Sequence, residues 1–218
     1  MSLVYDISHA VSRYNRNRKW RLFQDAVHFD DMTHILDVGF NDEEYFSDVE
    51  NYLEKNYPYL DNVTALGIQA PKKFSERYPK VKTVVYDGVD FPFPDKSFDI
   101  CWSNAVLEHV GDFDRQVHFM KEVARVSKTF FITTPNRWFP IEVHTKIPLL
   151  HYLPTSWRDR LYCFFGKEWA THGYMHLLSK WQLQSILRRA GISSYRLVSN
   201  RIGLFTMDFV TISNADGA

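Results

Sequence analysis

A chain of 218 residues, 45% of them hydrophobic, is long enough for one domain with a sizeable buried core. Its 26 basic and 26 acidic residues cancel, so net charge alone recommends no polyanionic partner. Cys101 and Cys163 make neither a metal-type pair nor a disulfide framework, no secretory signal is visible, and no apolar run reaches the length of a bilayer span, so a soluble cytoplasmic protein is expected.

The charges are unevenly spread. Residues 8–21 carry five basic residues and no acid, and residues 37–61 carry eight acids and one lysine. The basic stretch lies in an expected helix over 10–29, where so short an arm reads as a solvated face rather than a nucleic-acid contact. A strand, "HILDV", follows at 34–38, then a helix over 42–56 with acids in its first turn, where the helix dipole favours them. Strands are expected at 63–69, 81–87, 98–104 and 129–134, with helices at 71–78 and 114–127 between them. This alternation argues for a doubly wound α/β sheet, mostly parallel, whose ligand lies beyond the carboxyl ends of the strands near the reversal in strand order. After Pro135 the alternation stops. Residues 136–178 are rich in aromatics, including Trp138, Trp157 and Trp169. A helix over 179–190, closed by Gly191, and an antiparallel strand pair at 194–200 and 204–213 complete the chain.

The stretch "VYDGVDFPFPDKSFDICWSNAVLEHV", residues 85–110, resembles the class I S-adenosylmethionine-dependent methyltransferases, in their small-molecule branch. The shared pattern is an aspartate after the third strand, an apolar-Pro-Phe-Pro-Asp loop, Ser-Phe-Asp entering the fourth strand, and a Leu-x-His run. The resemblance covers residues 30–135 and accommodates the final helix and strand pair. It implies a Rossmann-like seven-stranded sheet ending in an antiparallel pair. It also implies one methyltransferase-like domain over 1–218, with 136–178 inserted as a cover over the acceptor site, and S-adenosyl-L-methionine as cofactor. By the resemblance, Asp87 accepts from the adenine amine, the backbone of Gly88 lies near the ring, and Asn104 faces the methionyl part or the sulfonium. For Asp87 the competing role is a turn cap with Gly88; for Asn104 it is a strand-end turn.

Two departures stand out. Asp37 and Gly39 match the family's first motif, but its later glycines are replaced by Asn41 and Glu43. Asparagine tolerates the left-handed backbone, whereas the carboxylates of Asp42, Glu43 and Glu44 would oppose a ligand carboxylate at a helix N-terminus. The acid expected after the second strand, which accepts from both ribose hydroxyls, is here Gln69. His109 is a candidate general base, with a packed helix-face histidine as the alternative. The segment after Pro135 resembles portions of bacterial superfamily members from glycan and cell-envelope pathways, and Arg137, Trp138, Glu142 and His144 are its candidate acceptor-site groups. Cys163, His172 and His176 fit no zinc spacing, and no metal is expected. Three readings compete: methyl transfer to an oxygen or nitrogen of a small molecule or glycan intermediate, a non-catalytic scaffold of the same fold, and nucleic-acid modification, the last resting on the basic arm alone.

Overall fold

The computed structural model describes residues 3–44, 50–141, 145, 147–171 and 175–213. Helix α1 (Leu3–Ala26) leads into β1 (Ile35–Val38), α2 (Tyr52–Asn56), β2 (Val63–Gly67), α3 (Lys72–Arg77), β3 (Lys82–Val85) and β4 (Phe98–Asn104). Then come α4 (Phe113–Val126), β5 (Ser127–Pro135), α5 (Thr155–Phe164), α6 (Lys180–Arg189), β6 (Tyr195–Ile202) and β7 (Phe205–Ser213).

The strands form one seven-stranded sheet in the order β3-β2-β1-β4-β5-β7-β6. The pairs from β3 to β5 are parallel, and β7 runs antiparallel to both β5 and β6. The order reverses between β1 and β4, which pair from Ile35 opposite Ile100 to Asp37 opposite Trp102. The inner strands are buried on both faces, β1 along its whole length, which explains their unbroken apolar runs. On one face α4 and α6 pack Met120, Val123, Leu183 and Ile186 against Leu36, Val38 and Phe130. On the other, α1 sets Phe23 edge-on to Trp102 and Phe131, at ring-centroid distances of 5.0 and 5.3 Å, and those two rings stack at 4.9 Å.

The helix expected over 42–56 differs in the structure. Only Tyr52–Asn56 is helical, residues 39–44 are not, and 45–49 lie outside the described residues. Two local features redirect the chain. Asn51 adopts a left-handed backbone, φ 45°, and Asp42 Oδ1 accepts from the backbone N–H of Phe74 at 2.9 Å, so that acid serves the start of α3 instead of a helix of its own. Residues 136–178 contain α5 and a small core of Leu150, Tyr162 and Ala170; the segment is tied to the sheet where Asn136 N–H donates to Met207 O of β7 at 2.9 Å, and Arg137 N–H donates to Leu178 O across its two ends at 2.9 Å.

The Pro-Phe-Pro-Asp loop is held by one guanidinium. Arg125, near the end of α4, donates to Phe91 O (3.0 Å), Phe93 O (2.7 Å), Asp95 Oδ1 (2.9 Å) and both oxygens of Glu122. Glu122 Oε2 in turn accepts from the Phe91 N–H at 2.8 Å. The fork of an arginine can meet several acceptors at once, which a lysine cannot. Arg125→Ala is expected to destabilise the fold by ~1–3 kcal/mol through the lost charge-assisted bonds and to accelerate hydrogen exchange at the Phe91 amide selectively. Unchanged exchange there would mean the loop is held by its apolar contacts alone.

Candidate functional site

The carboxyl ends of β1, β2, β3 and β4 meet at one edge of the sheet, on either side of the order reversal. After β1 the chain turns through Gly39 at φ 101°, a region L side chains rarely occupy. A Cβ there would lie 2.3 Å from Val106 Cγ2, so the turns after β1 and β4 touch. Phe40 lays its ring against Gly67, where a Cβ would meet it at 2.5 Å, and against Phe74 with centroids 4.6 Å apart. The backbone of Asn41 is bound on both sides by the Asn51 amide: Asn41 N–H donates to Oδ1, and Nδ2 donates to Asn41 O, each at 2.8 Å.

The acids that follow do not gather at a ligand-facing helix start. Asp42 accepts from Phe74 N–H, Glu43 pairs with Lys73 at 2.7 Å, and Glu44 takes Lys55 and Tyr78 Oη, each at 2.8 Å, as well as Asn51 Nδ2. The repulsion expected from the sequence is therefore relieved, because each carboxylate has a donor elsewhere.

Asp37 is buried beneath the turn. Its neighbour is the Glu54 carboxyl, whose two oxygens are also buried and meet no donor from the described residues. Two adjacent buried carboxyls resist ionising together, which favours a state in which they share one proton. Burial pushes both acids upward, Asp37 well above its ordinary range, and the Glu54 charge raises Asp37 further.

Asp87 and Gly88 form an exposed turn after β3. Asp87 Oδ1 accepts from Val89 N–H at 2.9 Å, the local capping role, while its second oxygen has no partner among the described residues. Gly88 has φ 83°. Gln69, just past β2, is exposed, and its amide is unengaged among the described residues. His109 closes a short 3-10 turn after β4, with Nε2 3.9 Å from Glu108 Oε1; Glu108 is buried and accepts from Thr134 Oγ1 at 3.0 Å. Trp138 is exposed beside Arg137, whose guanidinium stands 5.8 Å from its ring centroid. Glu142, His144 and His172 lie outside the described residues.

The end of β4 holds a cluster that sequence reasoning missed. Lys19 Nζ donates to Asn104 Oδ1 at 2.7 Å, lies 3.3 Å from Asp208 Oδ2 and 3.5 Å from Thr133 Oγ1; Thr133 Oγ1 donates to Asn104 Oδ1 at 2.8 Å. Asn15 donates to Asp208 at 2.7 Å and accepts from Asn200. Lys19, Asn15 and Asp208 are all buried, and the cluster borders a cavity of about 120 Å³. Burial drives the Lys19 pKa down, against the attraction of Asp208. The expected solvated face of residues 8–21 is thus corrected at Asn15 and Lys19. The signal was there: Lys19 falls one helical turn and Asn15 two turns before Phe23 on the apolar side, at i, i+4, i+8 spacing.

The ligand atoms of Asp90, His118 and Glu122 lie within 4.8 Å of one another, as in a metal site. Arg125 and the Phe91 N–H already occupy both Glu122 oxygens, however, and His118 Nε2 is 2.8 Å from Asp90 Oδ1, so this is an ion-pair network.

Residues 36–129 match the family model of a methyltransferase domain. That match takes in the strands and turns around the reversal in strand order and less than half of the chain. Two Mycobacterium tuberculosis proteins, from strains H37Rv and CDC 1551, each named as a probable S-adenosylmethionine-dependent methyltransferase, are 38% identical over 64 residues. The match takes in 28% of this chain and spans only 22% of the length of each relative. Among solved structures, a Mesorhizobium loti S-adenosylmethionine-dependent methyltransferase superposes with a TM-score of 0.59 at 13% identity, covering 90% of this chain and 97% of its own. One from Aquifex aeolicus gives 0.55 at 15% identity, covering 89% and 88%. At such identities the likeness is one of fold.

S-adenosylmethionine is the cofactor named for these relatives and solved structures. The residues present fit it at the exposed Asp87–Gly88 turn, which offers an unengaged carboxylate oxygen for an amine, at Gln69, which offers a free amide for hydroxyls, and at Asn104. At Asn41 the backbone is already bound by Asn51.

The Asp37–Glu54 pair makes a signed prediction. The unfolded chain releases this proton in the ordinary carboxylate range, near 3.8 and 4.5, and the folded chain holds it higher. The pair's contribution to stability is therefore full below that range and is lost as pH rises through the raised folded values. In Glu54→Gln an amide able to donate to Asp37 replaces the second carboxyl, so the variant should gain on the parent in urea melts as pH rises above the ordinary carboxylate range. Parallel stability profiles for the two proteins would refute the shared proton.

Proposed function

We propose that this chain transfers a methyl group from S-adenosyl-L-methionine to an oxygen or nitrogen of a small molecule or of a cell-envelope glycan intermediate. The supporting observation is convergence: Gly39, the Asp87–Gly88 turn and Asn104 stand past the ends of β1, β3 and β4, around the reversal in strand order, where doubly wound sheets hold their ligands. The bound cofactor supplies a sulfonium methyl, an electrophile that needs only a well-placed nucleophile and no redox partner.

In this reading the unengaged oxygen of Asp87 accepts from the adenine amine and the Gly88 backbone lies along the ring. Gln69 faces the ribose. Gly39 and Asn41 border the methionyl part, with Asp37 supporting their turn from below. Asn104 bounds the methyl end, its carbonyl oxygen fixed by Lys19 and Thr133, so its amide nitrogen is the free end. Arg137, Trp138 and Glu142 orient the acceptor, and His109 or His144 takes the proton from a hydroxyl or a protonated amine. Residues 136–178 cover the acceptor and keep water from it. Placing acceptor and methyl in line at about 3–3.5 Å supplies much of the rate. A cytoplasmic setting suits the cofactor; among the described residues no helix is long and apolar enough to cross a membrane.

A scaffold of the same fold is the second reading. It is favoured by the Asn51 amide on the Asn41 backbone and by the Phe40 ring across Gly67, which fill space that further glycines would have left open.

Affinity for the demethylated product, S-adenosylhomocysteine, separates them. Asp87→Ala should weaken it by about tenfold or more, and Gln69→Glu, which restores two charged acceptors, should tighten it by up to ~1–2 kcal/mol. Binding that ignores both substitutions, or no binding at all, would favour the scaffold.

A further inference from the structure

A second cavity, of about 230 Å³, opens between α4, α6 and residues 136–178. Its lining includes Arg137, His151, Arg158, Tyr162 and His176, and among the described residues no Asp or Glu joins them. Arg137 has no carboxylate partner among the described residues; its guanidinium meets only the Trp138 ring, 5.8 Å away. Arg158 touches Asp159 through Nε alone, at a long 3.4 Å. Two arginines that line one cavity concentrate positive charge there, which an anion would neutralise, and their planar forks match a phosphate or carboxylate.

Exposed aromatic residues adjoin the cavity lining in sequence. Trp138, Tyr152 and Trp157 are 61%, 37% and 66% exposed, and each is the chain neighbour of a cavity-lining residue: Arg137, His151 and Arg158. The Trp138 and Tyr152 rings approach to 5.9 Å. Indole and phenol rings suit a boundary with one apolar and one wet side, and a concentration of exposed rings beside a cationic cavity marks an interaction site.

We propose that this cavity binds the oxyanion head of an amphiphile, a phosphate or carboxylate, with the attached apolar chain lying on the rim formed by Trp138, Tyr152 and Trp157. The two halves are complementary: the guanidiniums neutralise the head, and the rings remove the chain from water. The cavity also borders the methyl end of the crevice, since Gln116, in its wall, donates through Nε2 to Leu107 O just past β4 at 3.2 Å and to His176 O at 3.1 Å. That the amphiphile is the methyl acceptor rests on the proposed methyl transfer; that it binds does not.

The test therefore measures binding to the full chain without S-adenosylmethionine, by calorimetry, using dodecyl phosphate below its micellar concentration, inorganic phosphate and the neutral dodecyl maltoside. Dodecyl phosphate should bind at least about tenfold more tightly than either of the others. The double substitution Arg137→Ala with Arg158→Ala should remove that advantage while the thermal melt stays intact, and Trp138→Ala with Trp157→Ala should bring dodecyl phosphate toward inorganic phosphate. If the double alanine variant does not fold, Arg137→Lys with Arg158→Lys, which keeps the charge but loses the fork, should still bind several-fold more weakly. Equal binding of the phosphate and maltoside amphiphiles, inorganic phosphate matching dodecyl phosphate, or arginine variants that bind like the parent would each overturn the proposal. Because no methyl transfer is read, a failure here leaves the enzymatic reading standing, and a failure of the enzymatic reading leaves this result standing.

Discussion

The contact between Gly39 and Val106 is the constraint on which the ligand-bearing edge depends. β1 and β4 pair in parallel at the point where strand order reverses, and the chains leaving them must diverge without leaving a hole. A hydrogen atom at Gly39 lets the turn after β1 lie directly on the Val106 side chain, where a methyl group would fall 2.3 Å from Cγ2. The left-handed φ of the same residue sends the chain toward β2 and α3, so one position satisfies a steric demand and a dihedral demand together.

Buried charge flanks that contact on two sides, and the two clusters are handled differently. The carboxyls of Asp37 and Glu54 have no cation between them among the described residues, and burial raises both, which favours a shared proton. Lys19, Asp208, Asn104 and Thr133 instead form a network in which the ammonium has an acceptor in several directions, so part of the desolvation cost is offset while burial still lowers the Lys19 pKa. The second network joins α1 to the ends of β4, β5 and β7 and fixes which end of the Asn104 amide faces outward. The N-terminal helix is thus fastened to the carboxyl end of β4, through residues more than eighty positions apart in sequence.

Much of the sheet was legible from apolar runs ended by Gly, Pro or Asp, because strands buried on both faces carry continuous Val, Ile, Leu and Phe. The terminal hairpin was legible for a similar reason: two apolar runs with a glycine turn between them. The segment after β1 was not. Its acids resemble the first turn of a helix, and only the fold brings the start of α3 and Lys73 close enough to claim Asp42 and Glu43. Lys19 was hidden for the same kind of reason, since five basic residues in a row of helix turns look solvated until a partner such as Asp208, far along the chain, is known. Asp87 was legible as a turn residue at the right edge; its local bond to Val89 uses one oxygen and leaves the other, which a sequence alone could not apportion.

The central claim is that the crevice between the ends of β1 and β4 holds S-adenosyl-L-methionine despite Asn41, Glu43 and Gln69 standing where the superfamily pattern has glycines and an acid. Titration calorimetry of the unaltered chain with S-adenosyl-L-methionine and with S-adenosylhomocysteine addresses it most directly. The account predicts saturable binding of both at one site per chain, with affinity reduced by about one to two decades relative to an intact ribose carboxylate. Absence of heat and of saturation for both compounds up to millimolar concentration would contradict it.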